Sequence, residues 1–174
     1  YILDKDLQTC GKLENVAPGE SVYSVRFDGD IGYFVTFRQV DPLFTVDLTD
    51  PAQPVILSAL KIPGFSQYLH PYGDGLLMGL GRDADPQTGA EGGLKLSMFD
   101  VSDPQQVAER HTTLLEMRYA DSEALTNHKA ILVSDEKNLI AFPAAGEYLV
   151  FSYDDEAGFI QRAELVPEFT GHWL

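Results

Sequence analysis

Among the side chains with the chemistry of metal ligands, four are the candidates: His70, His128, Asp83 and Asp85. Imidazole nitrogen suits zinc or another transition metal, and Asp121 or Glu123 could complete a set around the two histidines. Asp83 and Asp85 open the stretch 83–93, whose Asp-x-Asp start and later Glu91 offer the hard oxygens that calcium takes. The spacing departs from an EF-hand loop, so the competing reading is a long acidic loop between two strands. The histidines lack the His-Glu-x-x-His spacing, and their competing role is hydrogen bonding to backbone or to a neighbouring element. A second group consists of Tyr68, Tyr72 and Arg26. The tyrosines could floor a carbohydrate or peptide site, against which stands plain aromatic packing.

Several chemistries are excluded. Gly79-Leu80-Gly81 is followed by neither the Lys nor the helix of a phosphate loop. No Ser sits in a Gly-x-Ser-x-Gly elbow. Cys10 is the one cysteine, so an intrachain disulfide and a Cys-based zinc site are ruled out, and a buried structural thiol is expected. No organic cofactor is expected; calcium or a transition metal is the class these residues admit. The net charge is −15, with 12 Lys and Arg scattered along the 174 residues. Nucleic acid and anionic membrane surfaces are therefore disfavoured as partners, because both bind through clustered cations. No apolar run approaches the roughly 20 residues of a membrane span. The chain does not begin with Met and carries no export signal, so such a signal is expected outside it.

The elements that must position these residues are set by a repeat. Val46-Asp47-Leu48-Thr49-Asp50-Pro51 recurs 53 residues later as Phe99-Asp100-Val101-Ser102-Asp103-Pro104. A third, degenerate copy, Phe151-Ser152-Tyr153-Asp154-Asp155-Glu156, follows after 52 more. Short alternating runs rich in β-branched and aromatic residues surround each copy, as at Val22–Phe27, Gly32–Phe37, Leu43–Asp47 and Val55–Lys61. The Asp residues can accept hydrogen bonds from turn N–H groups, and Pro presets φ, so the motif closes a turn between third and fourth strands. Four strands at a period near 50 make a propeller blade. The fold class is all-β: a partial β-propeller of about three four-stranded antiparallel blades from a larger propeller. The expected divisions are 1–20, the outer hairpin of a preceding blade; 21–65, 66–120 and 121–169, three blades; and 170–174, the start of the next connection. In the third unit the first strand is expected within Ala124–Val133. An open arc leaves a sheet face bare at each end, so self-association, or cover by the remaining blades of a parent protein, is expected.

Longer strings carry a family resemblance: Tyr23–Phe27 with Val35–Phe44, Lys61–Ser66 with Tyr68–Pro71, and Ser122–Leu125 with His128–Ala130. The chain resembles the secreted bacterial and archaeal β-propeller domain family that is distantly related to WD40 repeats. The resemblance implies an exported or membrane-tethered protein, hence an extracellular or cell-surface setting, and implies no catalytic motif. Two readings follow. One is a non-enzymatic extracellular module that binds a protein or cell-wall ligand; the other is a metal-dependent hydrolase or lyase built on His70 and His128.

Overall fold

The structure, a computed structural model, describes residues 1–37, 41–85, 87–116 and 119–167. Fourteen strands occur among them. A short hairpin, β1 (Ile2–Leu3) with β2 (Thr9–Gly11), precedes three four-stranded antiparallel sheets. The first sheet contains β3 (Ser21–Asp28), β4 (Ile31–Phe37), β5 (Asp41–Asp47) and β6 (Val55–Ile62). The second contains β7 (Phe65–Pro71), β8 (Leu76–Ala84), β9 (Glu91–Asp100) and β10 (Ala108–Leu114). The third contains β11 (Leu132–Ser134), β12 (Leu139–Ala144), β13 (Glu147–Asp154) and β14 (Gly158–Leu165). Each sheet is a meander in sequence order, the blade architecture that the repeat implies.

The repeat is also a repeat of backbone irregularity. Where the third and fourth strands pair, the fourth carries one extra residue in every blade: Leu57, Arg110 and Arg162. These positions lie 53 and 52 residues apart, the same offsets as the motif. A β-bulge increases local twist, so the three blades share one twist at one place. In the first two blades Asp47 and Asp100 end the third strand and seven residues bridge to the fourth. The third blade has no Pro at the matching place. There the same seven residues, 153–159, form two further rungs, Tyr153↔Phe159 and Asp154↔Gly158, and a three-residue turn. Glu156 stands where the other two blades have Pro, and its N–H donates to Asp154 Oδ1 inside this turn.

Two apolar cores lie between the blades. Tyr33, Val35 and Leu43 of the first sheet meet Leu69, Leu77 and Phe99 of the second. Met78, Leu80 and Met98 on the opposite face of the second sheet meet Ile140, Phe142, Leu149 and Phe151 of the third. Strands β8 and β9 are thus covered on both faces, which is why they read as almost continuous apolar runs. Gly81 has a steric reason: a Cβ there would stand 1.7 Å from the Phe65 carbonyl oxygen of β7. Lys95, 3 % exposed, donates to the Pro63 carbonyl of the link between the first two blades and faces Glu109 at 3.7 Å.

Three expectations need correction. Stretch 83–93 is not a long loop: β8 continues through Ala84, β9 starts at Glu91, and six residues join them. The expected strand within Ala124–Val133 is mostly replaced by a 3₁₀ turn, Glu123–Leu125. Ser122 causes this, because its hydroxyl accepts from the Ala124 N–H while donating to the Pro143 carbonyl, which ties the chain into a cap. Cys10 is exposed rather than buried. The arm at 1–20 leaves the outer face of the first blade partly open. Val25 is 42 % exposed, whereas Leu69, its counterpart in the second blade, is 3 % exposed and packs against the first.

Candidate functional site

Antiparallel meanders send the first and third turns of every blade to the same edge. Contacts between blades show that the three blades agree on which edge this is. Tyr72 Oη donates to Asn138 Oδ1 at 2.8 Å, joining the β7–β8 strand end to the β11–β12 turn. Arg110 pairs with Asp155 at 3.2 Å, joining the last hairpins of the second and third blades. Ser58 Oγ donates to the Pro104 carbonyl at 2.9 Å, joining the first blade to the second. The six turns on this edge, 28–31, 47–55, 71–76, 100–108, 134–139 and 154–158, hold twelve of the chain's 27 Asp and Glu, and one basic residue, Lys137. The charge is concentrated, not spread.

Many of these carboxylates have backbone duties. Asp47 accepts from the Thr49 N–H, Asp50 from Ala52, Asp100 from Ser102 and Asp103 from Gln105, each at 2.8–3.1 Å. Asp154 accepts from the N–H groups of both Glu156 and Ala157. Hydrogen bonds to the charged form hold the carboxyls of Asp47, Asp100 and Asp154 below their usual range; for Asp154 they come from these two backbone groups.

Where the innermost strands reach this edge, the candidate residues converge in part. Strands β3 and β7 each contain a bulge against their neighbour, leaving Tyr23 and Gln67 as the extra residues. Arg26 and His70 each lie three residues beyond, so they are positional equivalents on successive blades. The strands are held together by Ser24 Oγ donating to the Ser66 carbonyl at 2.6 Å. Tyr68 Oη and His70 Nδ1 are hydrogen-bonded at 2.8 Å, with the rings stacked at a 5.9 Å centroid separation. Burial pushes the His70 imidazole below its ordinary pKa; the Arg26 charge adds to this and Asp135 opposes it. Burial raises the Tyr68 phenol against a lowering by Arg26. Arg26 Nε is buried and has no hydrogen-bond partner among the described residues.

The remaining candidates sit elsewhere. Tyr72 is 6 % exposed and belongs to the core between the second and third blades, so its ring packs instead of presenting a face. His128 is exposed in the turn after the 3₁₀ segment, with no hydrogen-bond or ion-pair partner among the described residues. Asp83 and Asp85 lie toward the opposite edge. His70 pairs with Met78, so at about 3.4 Å per residue Asp83 is about 17 Å away along β8. Asp85 is a turn cap, accepting from the Gln87 and Thr88 N–H groups at 2.8 Å, which lowers its pKa. Asp121 pairs with Arg82 at 2.8 Å, and Glu123 accepts from Asn127. The proposed metal ligands are therefore not one set, and the described residues contain no group of three His, Cys, Asp or Glu placed to hold an ion.

Sequence reading missed Asp135, Asn138, Tyr153 and His111. Asn138 accepts from the Tyr153 N–H at 2.7 Å and the Tyr72 hydroxyl at 2.8 Å, and donates to the Tyr153 carbonyl at 2.8 Å. Its φ is 47°, a region that Asn tolerates better than most residues, so Asn at the end of a polar turn was the available signal. The Tyr153 hydroxyl meets His111 Nδ1 at 2.8 Å, a pairing across blades that no local pattern announces.

Comparison with known proteins places these features in context. Residues 1–169 match the family model described as "Beta propeller domain". An uncharacterised protein of Archaeoglobus fulgidus is 42 % identical over 94 % of the chain and 25 % of its own length. One from Methanocaldococcus jannaschii, also uncharacterised, is 40 % identical over 89 % of the chain and 24 % of its own length. The chain thus spans about a quarter of the curated relatives it matches. A solved structure from Lactobacillus plantarum overlaps 86 % of the chain and 57 % of its own, at 13 % identity and a TM-score of 0.40.

Proposed function

Since the chain belongs to the β-propeller domain family, we propose that it is a non-enzymatic binding module of a secreted or cell-surface protein, engaging a protein or cell-wall ligand along its acidic edge. The observation that carries this reading is the gathering of twelve carboxylates on the six turns of one edge, at the mouth of the inner-strand wall. Turns on a rigid sheet scaffold are the usual carriers of recognition, and a field of one sign steers and selects partners. The sign favours a ligand with a cationic surface. The alternative, a metal-dependent hydrolase or lyase, draws less support, because among the described residues no three His, Cys, Asp or Glu are grouped to hold an ion.

The test uses immobilised domain, lysozyme as a basic protein probe, and a panel of purified cell-wall polymers. One triple variant neutralises the acidic edge: Asp74→Asn, Asp135→Asn and Glu136→Gln. Its control neutralises the opposite edge: Asp83→Asn, Glu91→Gln and Asp121→Asn. At about 0.5 kcal/mol per exposed charge, three charges correspond to about a tenfold loss of affinity for the acidic-edge variant. Equal losses in both variants would overturn the assignment of the edge.

A further inference from the structure

We propose that the bare part of the first blade's outer face seats a two-stranded β-hairpin of the longer protein, which completes a blade whose third and fourth strands are β1 and β2. The inference goes beyond the binding role proposed for the acidic edge and is independent of it. The arm reproduces the outer half of a blade in three respects that share one register. Strand β2 carries one extra residue against β1, Cys10, between the pairs Ile2↔Gly11 and Leu3↔Thr9. Leu57 and Arg110 are the same irregularity on β6 and β10. The residue after each bulge rests on the third turn of the following blade: Gly11 on the Pro51 carbonyl, Ser58 on the Pro104 carbonyl, and His111 on Gly158. Asp4 follows β1 and accepts from the N–H two residues on, that of Asp6, as Asp47 does from Thr49 and Asp100 from Ser102.

Half a blade covers half a face. Val25, Phe27, Phe34, Phe44 and Val46 lie on one face of the first sheet, because residues directly paired across strands share a face. Val46, on the third strand beside the arm, is 1 % exposed, whereas Phe27, on the first strand, is 60 % exposed. In the seam between the first and second blades, the first strand β7 is covered by β3 and β4, and Leu69 is buried. A first-and-second strand pair is what the arm lacks. An apolar cavity of about 320 Å³, lined in part by Tyr1, Ile2, Val22, Phe27 and Phe34, marks the gap. Strand β1 pairs with β2 alone among the described residues, so its other edge can accept the hairpin's second strand. The matched stretch is about a quarter of each curated relative, so chain from which to draw a hairpin exists outside it. A second copy fits less well: its strands β3 to β14 are already enclosed in complete four-stranded sheets.

The test compares the full-length parent protein with the 174-residue chain. Hydrogen exchange needs no substitution. Amides of residues 2–4 and 22–27 should exchange at least about tenfold more slowly in the parent, since both strands gain a partner there. In a second measurement p-benzoylphenylalanine replaces Phe27, and light couples it to whatever covers the face. Mass spectrometry should place the coupling within the same molecule, in a hairpin of two strands of about four to eight residues each. Coupling only between molecules would assign the face to a second copy. Unchanged exchange at 22–27 would show the face bare in the parent as well. Protection of 22–27 without protection of 2–4 would remove the pairing with β1. Each of these three results would overturn the inference, and none bears on whether neutralising the acidic edge weakens partner binding.

Discussion

Asn138→Ala should be among the most damaging single changes at the surface of this domain. Three hydrogen bonds are lost, to the Tyr153 N–H, the Tyr153 carbonyl and the Tyr72 hydroxyl. At about 0.5–1.5 kcal/mol each they total about 3 kcal/mol. Alanine must also adopt φ near 47°, at a cost of about 1 kcal/mol. Asn138→Gly removes the second contribution and keeps the first, so it should be about 1 kcal/mol less damaging than Ala. Asn138→Asp keeps the acceptor for Tyr153 and Tyr72 and loses the donor, so it should fall nearer to the wild type at high salt. The assay is urea unfolding with a common slope, together with hydrogen exchange at the Tyr153 amide. In thermal terms 3 kcal/mol corresponds to about 6–12 °C at this chain length. A loss below about 0.5 kcal/mol for Asn138→Ala, or a glycine variant worse than the alanine one, would refute the reasoning that this side chain ties the second blade to the third.

Two further outcomes follow from the same geometry. His70 has a depressed pKa in the folded state, from burial and then Arg26, so the unfolded chain takes up a proton first as pH falls. Its stabilising contribution is full above the ordinary value of about 6.5 and is lost as pH drops below it. The urea midpoint should therefore decline from pH 7.5 to 5 in the wild type and less steeply in His70→Gln, with Tyr68, Arg26 and Asp135 the groups that face the ring. Parallel slopes in the two proteins would remove His70 from the explanation. The bare outer face of the first blade, with Phe27 60 % and Val22 62 % exposed, should drive self-association. Sedimentation is expected to give a dimer or larger species that Val25→Lys with Phe27→Glu converts to monomer; a wild-type monomer would sink this expectation.

The architecture was legible in the sequence because it repeats. The Asp-Pro turns lie at intervals of 53 and 52, and the bulged residues Leu57, Arg110 and Arg162 follow the same intervals. Alternation located β3 to β6 closely, since strands half covered by apolar neighbours read as period two. The third blade was less legible. Its first strand gives way to a 3₁₀ turn because Ser122 satisfies backbone groups locally, a choice that apolar content in Ala124–Val133 does not reveal. The site was legible by residue type and hardly by grouping. Tyr68 and His70 came together because they lie two apart on β7, and Arg26 lies near them because β3 packs beside that strand; Asp83 and Asp85 did not join them because β8 carries them to the other edge. Sequence proximity, 13 residues from His70 to Asp83, says nothing about this, since a hairpin reverses direction between them.

The acidic turns explain why one edge of the domain has both a strong field and a rigid frame. Asp47, Asp100 and Asp154 have their carboxylates committed to the N–H groups of their own turns, which fixes them in place and keeps them ionised well below neutral pH. Replacing them would therefore loosen the hairpins as well as weaken the field, and binding losses there would be ambiguous. Asp74, Asp135 and Glu136 have no such commitment among their side-chain hydrogen bonds, so they report the field alone. Arg26 Nε is buried beneath this edge, without a hydrogen-bond partner among the described residues. A partner with a cationic surface would meet both features at once, the field giving attraction at a distance and the fixed turns giving it a set of charges held in constant register.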